Sequence, residues 1–334
     1  MTDRRAARPD HLGDPPTSVR AADELGPDDV AALLIAPSAP DLLDQLGITG
    51  RDREELLPLL PRAVADEEIL TEITRTANLL RARAGLDVPE VRLEELASTH
   101  DRLQERLAPG EGLIAILALA VGTSTVRTWH EARGLGAELS WEVLADLGQQ
   151  MRVHRRASGR LGLHQRGWTA LNWAGRLVHL GRLQFDLHRV DPGTELERWA
   201  VGTHIPARGP LTPDEVEASF ERATAYFTNH YADLDEQRPP SAPRFGTEFF
   251  CDSWLINRAL VEELGVSSNI GAFVDRWEVL STSPNPDGAA FFVFDERPPY
   301  DAATLPRTTR LEKVVAERLA DGRGWDSGIG RLVR

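Results

Sequence analysis

The chain holds a single cysteine, Cys251, among its 334 residues. One thiol can close no intrachain disulfide and build no cysteine zinc cluster, which fits a reducing compartment, the cytoplasm. Net positive charge is missing too: the formal net charge is -14, and an acidic chain is electrostatically repelled by nucleic acid and anionic membranes. The first residues lack an apolar signal-peptide core, so nothing there predicts export. The longest apolar run, 113–122, is roughly half of what a bilayer span needs and is expected to be a buried helix with no membrane partner. His100, His130 and His154 are scattered, so no metal is expected. Lysine is nearly absent, with Lys313 alone among 38 basic residues, and this carries no functional reading.

What is present is the composition of a folded protein, 41% hydrophobic and 27% charged. A chain of this length suits two domains of about 150 residues each. Residues 1–28 place Pro9, Pro15, Pro16 and Pro27 among Asp, Arg and Gly with almost no apolar run, and read as a disordered tail.

Residues 29–160 read as an all-helical domain. Ile69, Ile73, Ala77 and Leu80 recur at helical spacing within 66–83. Further helices are expected over 28–34, 39–46, 93–107 and 112–132, and one capped by Ser140 through Met151. In 161–334 the pattern changes. Leu183, Phe185 and Leu187 alternate with Gln184, Asp186 and His188, as in a half-buried strand. Strands are expected over 177–190, 196–205, 247–251, 272–280 and 289–294. Helices are expected over 212–231, from a Ser253 cap to Leu264, and over 302–319. Between Met151 and Pro210, ten arginines face four acidic residues. That basic stretch is either a holder for a small anion or a solvated face paired with acids elsewhere.

The run HLGRLQF at 179–185, HIP at 204–206 with Gly209, Pro210 and Leu211, FFCDSWL at 249–255 and SSNI at 267–270 follow one another in order. Together they resemble the actinobacterial acyltransferase-domain proteins that pair an N-acyltransferase N-terminal domain with a GNAT-like C-terminal domain, over nearly the whole chain after about residue 28. The resemblance implies an α+β fold, a helical N-terminal domain followed by a GNAT-like α/β domain with a mixed, mainly antiparallel sheet. It further implies acyl-CoA, acetyl-CoA or longer, as co-substrate and an unidentified amine as acceptor.

In GNAT enzymes the acyl-CoA pyrophosphate rests on backbone N–H groups of a Gly-containing loop at a helix start. The matching segment here is 206–212. Ile205 ends the preceding strand, Arg208 offers a cation, Gly209 permits close backbone approach and Thr212 opens the helix. The usual Gln/Arg-x-x-Gly-x-Gly/Ala loop is absent, and Asp214 and Glu215 in the first helical turn oppose a nearby phosphate. Glu131-x-x-Gly134-x-Gly136 and Trp325-x-x-Gly328-x-Gly330 lack the basic or amide first residue and read as turns.

Acyl transfer to an amine needs a proton acceptor for the attacking nitrogen and a proton donor for the leaving thiolate. His204, at a strand end beside the loop, is the first candidate base, the alternative being a structural histidine. Glu248 on the neighbouring strand is the second. Cys251 is either a nucleophile for a ping-pong route or a small buried hydrophobe. Ser253 is an acid or a helix cap. Trp254 stacks on substrate or belongs to the core, and Asn269 orients substrate or closes a turn. Two readings of other classes stay open: a GNAT-like ligand-binding or regulatory protein without catalysis, favoured by the missing loop motif, and DNA binding through 123–135 as a helix-turn-helix. The acidic balance of the chain weighs against the second.

Overall fold

The computed structural model describes residues 24–86, 91–206 and 209–334. The chain divides into two units, Met1–Leu177 and Val178–Arg334. The first contains α1 (Pro27–Leu34), α2 (Ala39–Gln45), α3 (Gly50–Leu56), α4 (Leu60–Ala65), α5 (Glu67–Ala82), α6 (Ala97–Gln104), α7 (Leu113–Ala132), α8 (Ala137–Leu144), α9 (Asp146–Ser158) and α10 (Arg166–Trp173). Asp66 starts α5 by accepting the Ile69 amide at 3.2 Å. The expected face of Ile69, Ile73, Ala77 and Leu80 is buried. Helix α7 is long and apolar enough, by length and composition alone, to cross a membrane. It serves as the core helix of this unit, buried without a break from Leu113 to Thr123 and packed on α5, α6 and α10.

Three expectations change in this unit. Its helices continue beyond 160, because α10 adds Ala170 and Trp173 to the same core. Ser140 lies inside α8 and not at a cap, and its hydroxyl meets His130 Nδ1 at 3.0 Å. The segment 123–135 is the last half of α7 and its closing turn, with Thr123, Val126, Trp129 and His130 buried, so it has no recognition helix to offer a DNA groove. Of the expected tail, residues 1–23 lie outside the described residues, whereas Pro27 and Asp28 already form the first turn of α1.

The second unit contains β1 (Leu177–Leu180), β2 (Leu183–Val190), β3 (Arg198–His204), α11 (Pro213–His230), β4 (Glu248–Ser253), α12 (Arg258–Leu264), α13 (Asn269–Asp275), β5 (Glu278–Pro284), α14 (Pro286–Phe294), α15 (Arg310–Ala320) and β6 (Asp326–Val333). The strands form one sheet in the order β1-β2-β3-β4-β6-β5. The pairs β2–β3, β4–β6 and β5–β6 are antiparallel and β3–β4 is parallel. The fold is thus α+β with a mixed, mainly antiparallel sheet. Phe185 of β2 and Phe249 of β4 point to the face covered by α11, where Phe220 meets them edge-on at 5.8 and 5.1 Å between ring centres. Such pairs add about 0.5–1.5 kcal/mol each beyond their buried area.

Two expected strands are corrected. Residues 289–294 are the end of α14: Asn285 accepts the Gly288 amide at 2.9 Å and Pro286 occupies the first helical position, a helix start that resembles a turn in sequence. The first part of 272–280 belongs to α13, and β5 begins only at Glu278. Ser253 ends β4, while Asn257 caps α12 by accepting the Ala259 amide at 2.9 Å. Strand β6 has no counterpart among the expected elements. Its Gly328 and Gly330, read as a turn, are strand positions, and a Cβ at Gly330 would stand 2.9 Å from that of Trp277.

Candidate active site

Strand alternation sends Leu183, Phe185 and Leu187 to the core and Asp186 and His188 to the opposite face. The β2–β3 register then sets Asp186 against Gly202 and His188 against Ala200. From β3, His204 reaches back so that its Nε2 lies 2.6 Å from Asp186 Oδ1, while His188 Nδ1 lies 3.3 Å from Oδ2. Burial alone would push the Asp186 carboxyl up, but hydrogen bonds and charge from His188 and His204 outweigh it and hold the group well below the usual carboxylate range. An ionised carboxylate only accepts, so each imidazole presents an N–H to it. The His204 tautomer with Nε2–H places its lone pair on Nδ1.

These residues line a groove of about 600 Å³ on the sheet face opposite α11, together with Phe250 and Asp252 of β4 and Arg331 of β6. The groove lies where the parallel pair parts. Two residue pairs join β3 to β4, Val201 with Phe249 and Gly202 with Phe250, and each strand then runs on separately, to His204 and Ser253. The groove also extends past Arg198 to Asp191 at the other end of β3, so it crosses the sheet face and takes in the carboxyl ends of the parallel strands, where α/β sheets characteristically bind ligands.

The chain between β3 and α11 is held by a residue that sequence reasoning passed over. Arg182, in the turn before β2, donates from Nε to the Pro210 carbonyl at 2.9 Å, from Nη1 to Pro206 at 3.1 Å and from Nη2 to Gly209 at 3.0 Å. Its own amide donates to Ser219 Oγ on α11 at 2.8 Å. One planar guanidinium therefore gathers three loop carbonyls onto one side. Gly209 takes the left-handed conformation, with φ of +58°. Thr212 caps α11, accepting the Glu215 amide at 3.4 Å and donating to Glu215 Oε2 at 2.6 Å. Ile205 follows the last residue of β3. Arg208 lies outside the described residues.

The other candidates are placed elsewhere. Glu248 is buried beneath two arginines, accepting from Arg198 at 2.9 and 3.0 Å and from Arg331 at 2.8 Å; it ties β3, β4 and β6 together and is not turned to solvent. Cys251 faces the core with 1% exposure, and burial, with the Asp252 charge, pushes its thiol up. This is the environment of a small buried hydrophobe, and one that disfavours the thiolate that attack requires. The Ser253 hydroxyl accepts the Leu255 amide at 3.2 Å. Trp254 stacks on Phe292 at 6.3 Å, and Asn269 is exposed at the start of α13; neither lines the groove. The missed partners, Asp186 and His188, had one sequence signal, two polar residues alternating with core positions. Their link to His204 depends on the pairing of two strands.

The domain composition agrees with this architecture. Residues 37–175 match the N-acyltransferase N-terminal domain and residues 177–332 the GNAT-like C-terminal domain. The chain therefore belongs with the GNAT-like acyltransferases that carry a helical N-acyltransferase domain ahead of the catalytic-type fold. Among solved structures it is similar to an acyltransferase in complex with decanoyl-CoA and teicoplanin, at 25% identity and a TM-score of 0.71, over 92% of this chain and 99% of that one. It is also similar to an acyltransferase mutant in complex with octanoyl-CoA, at 26% identity and a TM-score of 0.70, over 89% of this chain and 87% of that one. No curated protein matches the sequence.

Proposed function

We propose that the protein transfers a medium-length acyl group from acyl-CoA to an amine of a glycopeptide acceptor by direct attack, with His204 as general base. The observation that carries this reading is the 2.6 Å contact between His204 Nε2 and Asp186 Oδ1 at the mouth of the β3–β4 crevice. The acceptor nitrogen attacks the thioester carbonyl, its proton passes to His204, and the C–S bond breaks to release CoA, which is protonated as it leaves. The ionised Asp186 steadies the imidazolium formed in that step. The segment from Ile205 to Thr212 receives the pyrophosphate. Pro206 and Pro210 carry no N–H, so the donors come from the other amides of the segment, Gly209 and Thr212 among them, and Arg182 and Arg208 supply positive charge. Acyl length and acceptor class follow the structural relatives, which hold octanoyl-CoA, decanoyl-CoA or CoA and, in two cases, teicoplanin or 10C-teicoplanin.

The test is release of CoA thiol from decanoyl-CoA in the presence of teicoplanin, for the wild type and His204→Ala. A general base contributes on the order of 10²–10⁴-fold to the rate. His204→Ala is expected to lower kcat by that range while decanoyl-CoA still protects the protein from thermal unfolding. A variant with unchanged kcat would remove His204 from the mechanism.

A further inference from the structure

Gly202 sits inside β3, where a glycine weakens a strand relative to alanine. It is not among the residues with positive φ, so no backbone conformation demands it. Space does: a Cβ at this position would overlap Asp186 Oδ1 and approach His188 Cε1 at 3.1 Å. Its neighbour on the same face, Ala200, opposite His188, is also small. The Asp186 carboxylate thus lies flat across the β3 backbone, low enough to reach His204 two residues further along. Were it to stand off by the depth of one methyl group, the 2.6 Å contact with Nε2 would be lost.

The second carboxylate oxygen is held from the other side. His188 Nδ1–H faces Oδ2 at 3.3 Å, and the His188 ring rests edge-on against Phe250 at 6.3 Å. Other charged groups line the groove, but the arginines are matched elsewhere: Arg189 pairs with Glu197, Arg198 bonds Glu248 and Asp191, and Arg331 bonds Glu248 and Glu278. On β4, Asp252 is exposed to solvent. The two imidazoles therefore share one buried anion, each taking one of its oxygens.

We infer that Gly202 and His188 are positioning residues for the His204 base: Gly202 leaves the notch in which the Asp186 carboxylate is seated, and His188 fixes the orientation of that carboxylate through its second oxygen. The inference rests on the reading of His204 as the base, but its structural half can be tested without any acceptor.

The experiment compares the full-length wild type with Gly202→Ala, His188→Phe and His188→Gln. The first readout is the ring N–H signal of His204 in proton NMR of histidine-labelled protein, shifted downfield and slowed in exchange by the carboxylate. Gly202→Ala is expected to abolish this signal and His188→Phe to weaken it, while His188→Gln, which keeps an N–H donor, restores it. The second is decanoyl transfer to teicoplanin. A displacement of about 1 Å at a catalytic group costs on the order of 10²-fold, and that loss is expected in kcat for Gly202→Ala with KM for decanoyl-CoA unchanged. His188→Phe is expected to lose about tenfold, mostly recovered in His188→Gln. Retention of the signal and of kcat within about twofold in folded Gly202→Ala and His188→Phe would overturn the inference. Should Gly202→Ala fail to fold, the His188 pair decides by the same signal. Should the wild type transfer no acyl group, the functional reading fails, and the NMR comparison still decides whether the notch seats the carboxylate.

Discussion

Replacing Arg182 with alanine separates binding from chemistry. The guanidinium makes three hydrogen bonds to the carbonyls of Pro206, Gly209 and Pro210, at 2.9–3.1 Å, from a partly exposed position. A charge-assisted bond of this kind is worth more when buried, and solvent screening brings each down to about 0.5 kcal/mol, or about 1.5 kcal/mol for the three. The Arg182 amide still donates to Ser219 Oγ in the variant, which keeps the turn attached to α11. If the ordered loop is what receives the pyrophosphate, the cost of re-ordering it falls on ligand binding, and about 1.4 kcal/mol is tenfold in Kd. Calorimetric titration with decanoyl-CoA is therefore expected to show roughly tenfold weaker binding to Arg182→Ala. kcat should change by less than about twofold, since His204 and Asp186 are untouched. Arg182→Lys should recover only part of the loss, because one ammonium cannot spread over three carbonyls as a planar fork does. Equal affinities of wild type and Arg182→Ala for decanoyl-CoA would refute both the clamp and the phosphate placement.

Two further outcomes are expected. Burial, with Arg127 adding to it, pushes His130 in α7 down from its ordinary 6.5 to about 4. The unfolded chain therefore binds a proton that the folded chain refuses: stability is complete above about pH 6.5 and falls as pH drops toward 4, by roughly 3 kcal/mol at the lower end. Denaturant titrations across that range should show a shallower loss in His130→Gln, which retains a partner for Ser140, and parallel pH dependences would show that another group is responsible. Cys251, buried on β4, should react with a disulfide reagent only in denaturant, and Cys251→Ala should keep its turnover, with no acyl-protein adduct by mass spectrometry. An adduct on that thiol would revive the ping-pong route.

Much of this protein was legible in the order of its residues. The switch from helical to alternating periodicity separates a helical unit from an α/β one. Thr212 followed by Pro213 marks the start of α11, because a capping hydroxyl and a fixed φ act within one turn. The face of α5 and the alternation of β2 follow from the same local geometry, and His204 could be singled out from its place at a strand end. What the sequence could not determine depends on register and on groups far apart in the chain. Asp186 meets His204 because β2 and β3 pair with Gly202 opposite the carboxylate. Glu248 turns from a candidate base into a buried anchor because Arg198 and Arg331 arrive on the strands to either side. Strand β6 hides behind two glycines whose reason is the approach of Ile256 and Trp277, and Arg182 acquires its role only when the loop some 25 residues later folds back over it. Local propensity acts over a few residues, whereas the site is assembled across strands, so the tertiary structure alone decides which polar side chains share one carboxylate.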